Sequence, residues 1–282
     1  NLNQPLRRKR AAEIQMIKAL ELDGVTCTFP ARGRSAAAYT AIAGVDLRVG
    51  EGEFVAVVGP TGCGKSTLLN VAAGLLKPNG GSVTVFGKPL SGINRRSGYL
   101  FQTDALMPWR SALDNVTAGL EFRGVGGQGA RERAADWLKR VGLAAHAHKY
   151  PHELSGGMKK RVALAQTLIL DPKILLMDEP FSALDVQTRS LMGNELLALW
   201  SQDRKSVVFV THDLEEAIAL SDRVVVMSAG PASRPIGKFP IDLPRPRDVS
   251  EIRLTPHFLE LQMLIWSALR DEVQKAYAHA LD

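Results

Sequence analysis

The nine residues GPTGCGKST at 59–67 constrain the fold of this chain more than any other segment. The five residues FVAVV shortly before them are all apolar, as in a strand that is buried on both faces. The following segment KSTLLNVAAGLL, at 65–76, has helical spacing, and Pro78 and Gly80 are expected to end the helix. A buried strand, a glycine-rich loop and a helix in this order predict the phosphate-binding unit of a parallel α/β sheet.

Glycines and a lysine give this loop its predicted chemistry. The backbone can curl tightly at Gly59, Gly62 and Gly64, so that successive amides point inward at phosphate oxygens. Lys65 adds a positive charge for the β and γ phosphates, and Ser66 offers a hydroxyl to Mg²⁺. The other residues of the predicted nucleotide-binding loop are Pro60, Thr61, Cys63 and Thr67. The motif predicts a nucleotide site that uses Mg²⁺, against the alternative of a simple glycine turn.

The chain has two cysteines, Cys27 and Cys63. We expect no disulfide between them, because a bridge at Cys63 would distort the phosphate loop, and this favours a reducing, cytosolic setting. A thiol beside a helix N-terminus can have a lowered pKa, so a redox role is one interpretation of Cys63. The other is a small side chain that the loop tolerates.

The composition favours a folded protein over a membrane span. With 282 residues, of which 45% are hydrophobic, the chain can form one large α/β domain or two small ones. Its longest apolar stretches, such as ILLM at 174–177, are far shorter than the ~20 residues that cross a bilayer. The net charge is +6, and part of it comes from RRKR at 7–10, which we interpret as a solvated tail. Such a run is weak evidence for contact with lipid headgroups or nucleic acid.

Strand and helix patterns alternate along most of the chain. Alternating apolar residues at 20–29 and 43–49 predict antiparallel strands before the phosphate loop. From about 111 to 170 the pattern is helical. Afterwards the strand-like segments KILLMD, SVVFVT and RVVVMS alternate with helical ones. This rhythm favours a parallel sheet with helices on its faces, interrupted by a mostly helical insertion.

Polar residues follow three of the predicted strands. Asp178 ends the strand ILLMD, where a parallel sheet brings it beside the phosphate loop and an acid can hold Mg²⁺. Glu179 comes next and can polarise a water that attacks the γ phosphate. His212, after SVVFVT, is by itself better explained by a structural role, and together with the other motifs it is a candidate sensor of the γ phosphate. Gln102, after GYLF, can cap a turn or join the water shell of a metal.

A second glycine motif, LSGGM at 154–158, precedes the basic helical segment KKRVALAQTL. Together with GPTGCGKST, Gln102, ILLMDEP, SALD at 182–185 and His212, it resembles the nucleotide-binding subunit of ATP-binding cassette (ABC) transporters over nearly the whole chain. The resemblance implies an α/β fold, the P-loop NTPase cassette. Its parallel-sheet, RecA-like core carries an antiparallel β subdomain, a helical insertion and a C-terminal helix. It also implies an ATPase that converts ATP and water to ADP and phosphate.

In that family two cassettes pair head to tail, so each ATP lies between the phosphate loop of one chain and the LSGG motif of the other. The resemblance therefore places Ser155, Gly156 and Gly157 against the ATP that Lys65 of a second copy holds. The helix N-terminus predicted there suits a terminal phosphate. By the same resemblance, Asp185 belongs to the loop that crosses the dimer interface.

The resemblance also assigns roles within one chain. Glu179 would be the catalytic base and His212 the switch residue. Phe29 would stack on adenine, with Tyr39 as a possible substitute and a core position as the other interpretation of Phe29. Gln102 would join the ATP site to the helical insertion. The residues expected at the metal are Ser66, Gln102 and Asp178.

Softer motifs indicate the branch of the family and its partners. LSGGM, LMPWRSALDNV at 106–116 and LPRPRD at 243–248 resemble importer ATPases for nitrate, sulfonates such as taurine, and bicarbonate. The expected partners are a second cassette, identical or paralogous, transmembrane permease subunits, and a periplasmic or lipid-anchored solute-binding protein. The surface around Trp109 would receive a membrane subunit, although Trp109 can equally be a core residue. We expect no nucleic-acid partner and a peripheral position on the cytoplasmic face of the inner (plasma) membrane.

These patterns divide the chain into a basic tail at 1–18, an ABC ATPase domain at 19–250 with a helical subdomain at about 103–170, and a C-terminal amphipathic helix within 251–282. LPRPRD is expected to be a stiff linker before that helix. Two other functions stay open for this fold: an exporter or lipid-transport ATPase, whose cassette motifs are the same, and an ATPase that acts on nucleic acid or the ribosome.

Overall fold

The computed structural model describes residues 18–30, 38–103 and 105–279. The basic run at 7–10 lies outside these residues. The strands are β1 (Lys18–Phe29), β2 (Tyr39–Gly50), β3 (Phe54–Val58), β4 (Gly80–Val85), β5 (Lys88–Pro89), β6 (Ser97–Leu100), β7 (Ile174–Asp178), β8 (Ser206–Val210), β9 (Arg223–Met227) and β10 (Pro235–Pro240). The helices are α1 (Lys65–Ala72), α2 (Ala112–Glu121), α3 (Gln128–Arg140), α4 (Gly156–Leu168), α5 (Val186–Asp203), α6 (Leu214–Leu220), α7 (Val249–Ile252) and α8 (Pro256–His279).

The larger sheet has the strand order β10-β9-β3-β8-β7-β6, and all neighbours except β10 and β9 run parallel. Every residue of β3, β7 and β8 is buried. Neighbouring residues of β3 point to opposite faces, because Phe54 packs in the cluster with α5 and α6 whereas Val55 packs in the cluster with α1 and the smaller sheet. Burial on both faces explains the continuous apolar strands, and it confirms the predicted parallel α/β sheet.

The smaller sheet has the order β2-β1-β4-β5, with antiparallel pairings. The antiparallel strands predicted from alternating residues correspond to β1 and β2. The sequence did not predict β4, β5 or β10. β4 begins with Gly80 and Gly81, which have low strand propensity, and its place in the sheet comes from pairing with β1. Helix α1 is shorter than predicted: it ends at Ala72, and Gly74 follows with φ of +71°.

Three helices lie between β6 and β7 and form a core of their own. α2, α3 and α4 share a buried cluster that includes Val116, Leu138 and Val162. Helix α2 starts at Ser111, whose hydroxyl accepts a hydrogen bond from the Asp114 amide as an N-cap. The LSGGM motif lies at the N-terminus of α4 in this helical insertion.

The sequence predicted that LPRPRD is a stiff linker, and the structure shows that this segment packs against the protein. Leu243 is buried, and Arg247 is only 8% exposed. Arg247 donates hydrogen bonds to backbone carbonyls, the shortest at 2.7 Å to Ser221. Arg245 donates to Asp222 at 2.9 Å and lies over the Trp200 ring at 4.3 Å. The arginines anchor the segment because they satisfy carbonyls that strand and helix ends leave unpaired.

The C-terminal helix α8 buries one face, with Phe258, Leu261, Ile265 and Leu269 in the main core. Two residues that the sequence pattern placed with them, Leu264 and Val273, are 54% and 38% exposed. Among the described residues, no helix is long and apolar enough to span a bilayer.

Candidate nucleotide site

The phosphate loop leaves the buried strand β3 and enters helix α1 at Lys65. The Lys65 ammonium donates to the backbone oxygens of Gly59 at 2.9 Å and Pro60 at 3.0 Å, so the lysine lies over the loop. Gly64 has φ of +85°, and a Cβ there would lie 2.6 Å from Cγ2 of Ile42. Only glycine therefore fits this position. The loop amides and the lysine form a cradle that can hold a nucleotide's phosphates.

The ends of β3 and β7 bring two oxygen donors together. The Ser66 hydroxyl donates to Oδ1 of Asp178 at 3.0 Å, and the Tyr99 hydroxyl lies 3.4 Å from Oδ2 of the same carboxylate. Burial raises the pKa of Asp178, although the hydrogen bonds from Ser66 and Tyr99 oppose this. Hydroxyl and carboxylate oxygens are the ligands that Mg²⁺ prefers, so Ser66 and Asp178 fit a magnesium ion next to the phosphates.

Three side chains predicted from separate parts of the sequence converge beside this pair. Oε2 of Glu179 lies 2.9 Å from Nδ1 of His212, and the Gln102 amide donates to the same oxygen at 3.4 Å. Glu179 has φ of +44°, a conformation that is strained for a residue other than glycine and that is found often at functional sites. The Glu179 side chain is 18% exposed and the His212 side chain 52%, so a water molecule can reach the carboxylate.

Gln102 also connects this site to the helical insertion. Its backbone oxygen accepts a hydrogen bond of 2.6 Å from the Lys160 ammonium on α4. Lys160 is 3% exposed, although it is charged. A movement of α4 would therefore be transmitted directly to the Gln102 backbone. The burial of Lys160 could not be predicted from the sequence, because a lysine in a basic helix is usually exposed.

A second buried ionisable group that was not predicted from the sequence is Glu216, close to His212 in the chain. Oε2 of Glu216 accepts a hydrogen bond of 2.8 Å from the Thr211 hydroxyl, directly before His212 in the chain. Glu216 is 4% exposed, and burial raises its pKa to about 7. Arg189 donates to Asp213 at 2.8 Å and lies 3.4 Å from Glu216. The spacing of the apolar residues in α6 could have indicated that Glu216 is buried, because it places Glu216 on the same inward face as Leu220.

The LSGGM motif lies at the N-terminus of α4. The Ser155 hydroxyl accepts a hydrogen bond from the Met158 amide at 3.3 Å as the N-cap, and Ser155 and Gly156 are exposed. Asp185 caps α5 in the same way, through a hydrogen bond of 2.9 Å from the Thr188 amide that helps to lower the pKa of Asp185. The hydrogen bonds of Ser155 and Asp185 within the described residues do not join them to the phosphate loop. Both lie on the surface, where a second molecule can reach them.

Aromatic residues flank the loop on the smaller sheet. Phe29 and Tyr39 are opposite each other in the β1-β2 pairing and are 39% and 46% exposed, so the core interpretation of Phe29 is excluded. The Tyr39 hydroxyl lies 3.4 Å from the Gly62 carbonyl oxygen, which places Tyr39 directly against the phosphate loop. Cys63 is fully buried, and burial raises the pKa of its thiol, which disfavours a reactive thiolate. Trp109 is 74% exposed and is therefore a surface residue.

The chain is similar to known proteins over most of its length. Residues 42–182 match the family model for ABC transporters. An ABC transporter ATP-binding protein of Methanocaldococcus jannaschii, named as uncharacterised, is 46% identical over 258 residues, which cover 91% of this chain and 93% of that protein. The taurine import ATP-binding protein TauB of Pseudomonas aeruginosa is 39% identical over 92% of this chain and 99% of its own length.

A solved structure of a dimeric ATP-binding cassette in a post-hydrolysis state, bound to ADP and Pi, superposes with a TM-score of 0.69. It is 33% identical and covers 79% of this chain and 99% of that one. The chain belongs to the ABC transporter family and is an ATP-binding cassette ATPase.

Proposed function

We propose that this chain powers the uptake of a small oxyanion, of the nitrate, sulfonate or bicarbonate type, through separate membrane subunits. The observation that carries the ATPase part of the proposal is the contact of 2.9 Å between Glu179 and His212, beside the Ser66–Asp178 pair. The cassette resemblance supports ATP hydrolysis as the source of energy, and the taurine import relatives support import of a solute that carries a sulfonate group.

In this proposal Glu179 is the general base. A carboxylate accepts a proton from water as the water attacks the γ phosphate, and His212, within hydrogen-bonding distance, orients that carboxylate. Lys65 and the loop amides neutralise the phosphate oxygens, and Ser66 and Asp178 would hold Mg²⁺, which would supply additional positive charge to the phosphates. Gln102 adds a polar contact to the same site, and Phe29 or Tyr39 stacks on the adenine.

The second half of the site belongs to another cassette. Ser155, Gly156 and Gly157 present a helix N-terminus at the surface, and such amides favour a terminal phosphate. We infer that they complete the ATP site of a second copy or paralogue, with Asp185 at the same interface. A related cassette is dimeric in its solved structure, which supports this pairing.

The other partners follow from the same proposal. Trp109 is exposed on the helical insertion and is a suitable anchor for a helix of a permease subunit. A periplasmic or lipid-anchored solute-binding protein would deliver the anion from the other side, and the cassette would lie at the cytoplasmic face of the plasma membrane. We propose the ATPase domain at 19–250, with α2 to α4 as the helical subdomain at about 103–170, and a C-terminal helix within 251–282.

Replacing Glu179 tests the proposal. In Glu179→Gln the amide keeps the size of the side chain but cannot take a proton, so we expect ATP hydrolysis to fall by a factor of ~10² or more. ATP binding should be unchanged, and a dimer should accumulate with ATP, measured by gel filtration with light scattering. Glu132→Gln, on the exposed surface of α3, is the matched control and should hydrolyse ATP normally. Normal hydrolysis by Glu179→Gln would exclude Glu179 as the base.

The transported anion requires a second measurement. The chain would be reconstituted in liposomes with its permease and solute-binding subunits, and ATP hydrolysis would be measured with taurine, nitrate or bicarbonate on the binding-protein side. We expect stimulation by one of these anions. Stimulation by none of them, with a lipid or a cation active instead, would refute the proposed substrate class and leave the ATPase assignment intact.

A further inference from the structure

A row of exposed residues follows the C-terminal helix at alternating spacings of four and three. We call it the α8 stripe, and it consists of Leu259, Met263, Trp266, Arg270, Val273 and Tyr277. The apolar members are between 38% exposed, at Val273, and 73% exposed, at Met263. The residues that bury α8 in the core, such as Ile265, lie on another face of the helix. Spacing of this kind forms the seam of a two-helix coiled coil.

The α8 stripe is continuous with the surface that we propose to meet a second cassette. Met263 and Trp266 line a cavity of about 590 Å³ together with Val186 and His212. Val186 is 68% exposed and directly follows Asp185, which we place at the dimer interface. This cavity therefore joins the start of α5 to the middle of α8, and charged side chains such as Arg189 and Glu215 line it together with the apolar ones.

We propose that the α8 stripe binds the α8 stripe of a second copy of this chain, with the two helices antiparallel, in the ATP-dependent dimer. This inference rests on the proposed function, because it extends the dimer inferred there. The contact is isologous: the same stripe is used on both copies, as twofold symmetry requires.

The residues of the stripe select the antiparallel arrangement. Its charged member is Arg270, whose side chain is 59% exposed. Parallel helices in register would bring Arg270 against Arg270 of the second copy, with like charges in contact. An antiparallel pair centred on Ala268 instead places Arg270 against Trp266, where the guanidinium can stack on the indole ring. The same register pairs Met263 with Val273.

The length of the stripe explains why the contact needs ATP. From Leu259 to Tyr277 the helix rises about 27 Å, since each of the 18 steps adds ~1.5 Å. Helical pairs this short are weak when two chains must find each other in solution. Once two cassettes close around ATP, the second contact forms within one complex, and the effective concentration of the partner stripe is on the order of millimolar.

Cysteine cross-linking tests the register. The chain's two natural cysteines are buried, so an introduced cysteine on α8 is selectively accessible. Met263→Cys and Val273→Cys would each be combined with Glu179→Gln and mixed in equal amounts with ATP and an oxidant. We expect a disulfide-linked dimer from the mixture and little from either variant alone. A mixture of Leu264→Cys and Val273→Cys is the control, because Leu264 lies outside the stripe although it is 54% exposed.

Charge substitutions provide an independent measurement. Met263→Glu places a carboxylate in the stripe at two symmetric positions, and we expect the Kd of the ATP-dependent dimer to rise by a factor of about 10. Leu264→Glu introduces the same charge on the neighbouring residue and should leave the Kd unchanged. Circular dichroism would verify that both variants are folded.

The outcomes separate this inference from the function on which it rests. If Glu179→Gln forms an ATP-dependent dimer but the mixed cysteines do not cross-link, the pairing of α8 is refuted and the proposed function stands. Cross-linking of Met263→Cys with itself would show parallel helices and refute the proposed register. If no ATP-dependent dimer forms, the dimer in the proposed function fails, and the α8 contact fails with it. Protection of Met263→Cys from a maleimide only by membrane subunits would identify another occupant and overturn the proposal.

Discussion

The buried carboxyl group of Glu216 makes the stability of this protein depend on pH in a defined direction. Glu216 is 4% exposed, and its Oε2 accepts a hydrogen bond of 2.8 Å from Thr211. Its Oε1 has no hydrogen-bond partner among the described residues, although it lies 3.4 Å from Nε of Arg189. Burial is the largest effect, and it raises the pKa from 4.5 to about 7.

This shift can be expressed as a free energy of unfolding. The folded state binds the proton more tightly than the unfolded state, so between about pH 4.5 and pH 7 the unfolded chain releases the proton and the folded chain keeps it. The free energy of unfolding therefore falls as the pH rises through this window. Since one pKa unit corresponds to ~1.4 kcal/mol, the full cost above pH 7 is about 3 kcal/mol.

The substitution Glu216→Gln removes the titrating group and retains an oxygen for the Thr211 hydroxyl. At pH 8 we expect the variant to be more stable than the parent by about 1–3 kcal/mol, the lower end reflecting the lost attraction to Arg189. At pH 5 the difference should be much smaller, because the folded parent is then protonated and only about 1 kcal/mol of the cost has developed. Urea unfolding of both proteins at pH 5, 6, 7 and 8 measures the difference in their free energies of unfolding. The contributions of the other titrating groups are the same in both proteins and cancel in this difference.

Glu215→Gln, on the half-exposed neighbour of Glu216, is the control for the change of net charge, and its stability relative to the parent should vary little over this range. A difference between Glu216→Gln and the parent that is the same at pH 5 and pH 8 would refute the reasoning. A variant that loses stability only at high pH would show that the ionised carboxylate is favoured by Arg189 and not penalised by burial.

Three further predictions concern other parts of the molecule. Arg247→Met should lower the free energy of unfolding by about 3 kcal/mol in urea, since buried carbonyls lose their donor; the exposed Arg204→Met is the control. Gly64→Ala should abolish binding of a fluorescent ATP analogue, because its Cβ would lie 2.6 Å from Ile42, and normal affinity would contradict this. Ser155→Arg should abolish ATP turnover and spare ATP binding, whereas full turnover would exclude its role in a shared site.

Most of the nucleotide site could be predicted because its motifs are local. The phosphate loop is one continuous segment between a strand and a helix, so the positions of Gly64, Lys65 and Ser66 follow from the chain itself. Asp178 and Glu179 follow a buried strand, and a parallel sheet brings such strand ends to one edge. The central strands were equally predictable, since burial on both faces leaves a continuous apolar run.

Features that depend on distant contacts could not be predicted. LPRPRD has the composition of a linker, yet Arg247 binds carbonyls about 26 residues earlier in the chain and fixes the segment to the core. The strand β4 starts with two glycines and exists because β1 provides an edge. Glu216 and its neighbour Glu215 are chemically identical, and only the packing of α6 buries the first and exposes the second.

The sequence by itself determined that this chain binds phosphates and belongs with the ABC cassettes, because each motif encodes its own backbone geometry and charge. The tertiary structure decided which groups act together. It brought Gln102 and His212 within 3.4 Å of Oε2 of Glu179, although the three residues lie far apart in the chain. It also left the α8 stripe exposed. The sequence of α8 carries apolar residues on two faces, and only one of these faces packs against the core.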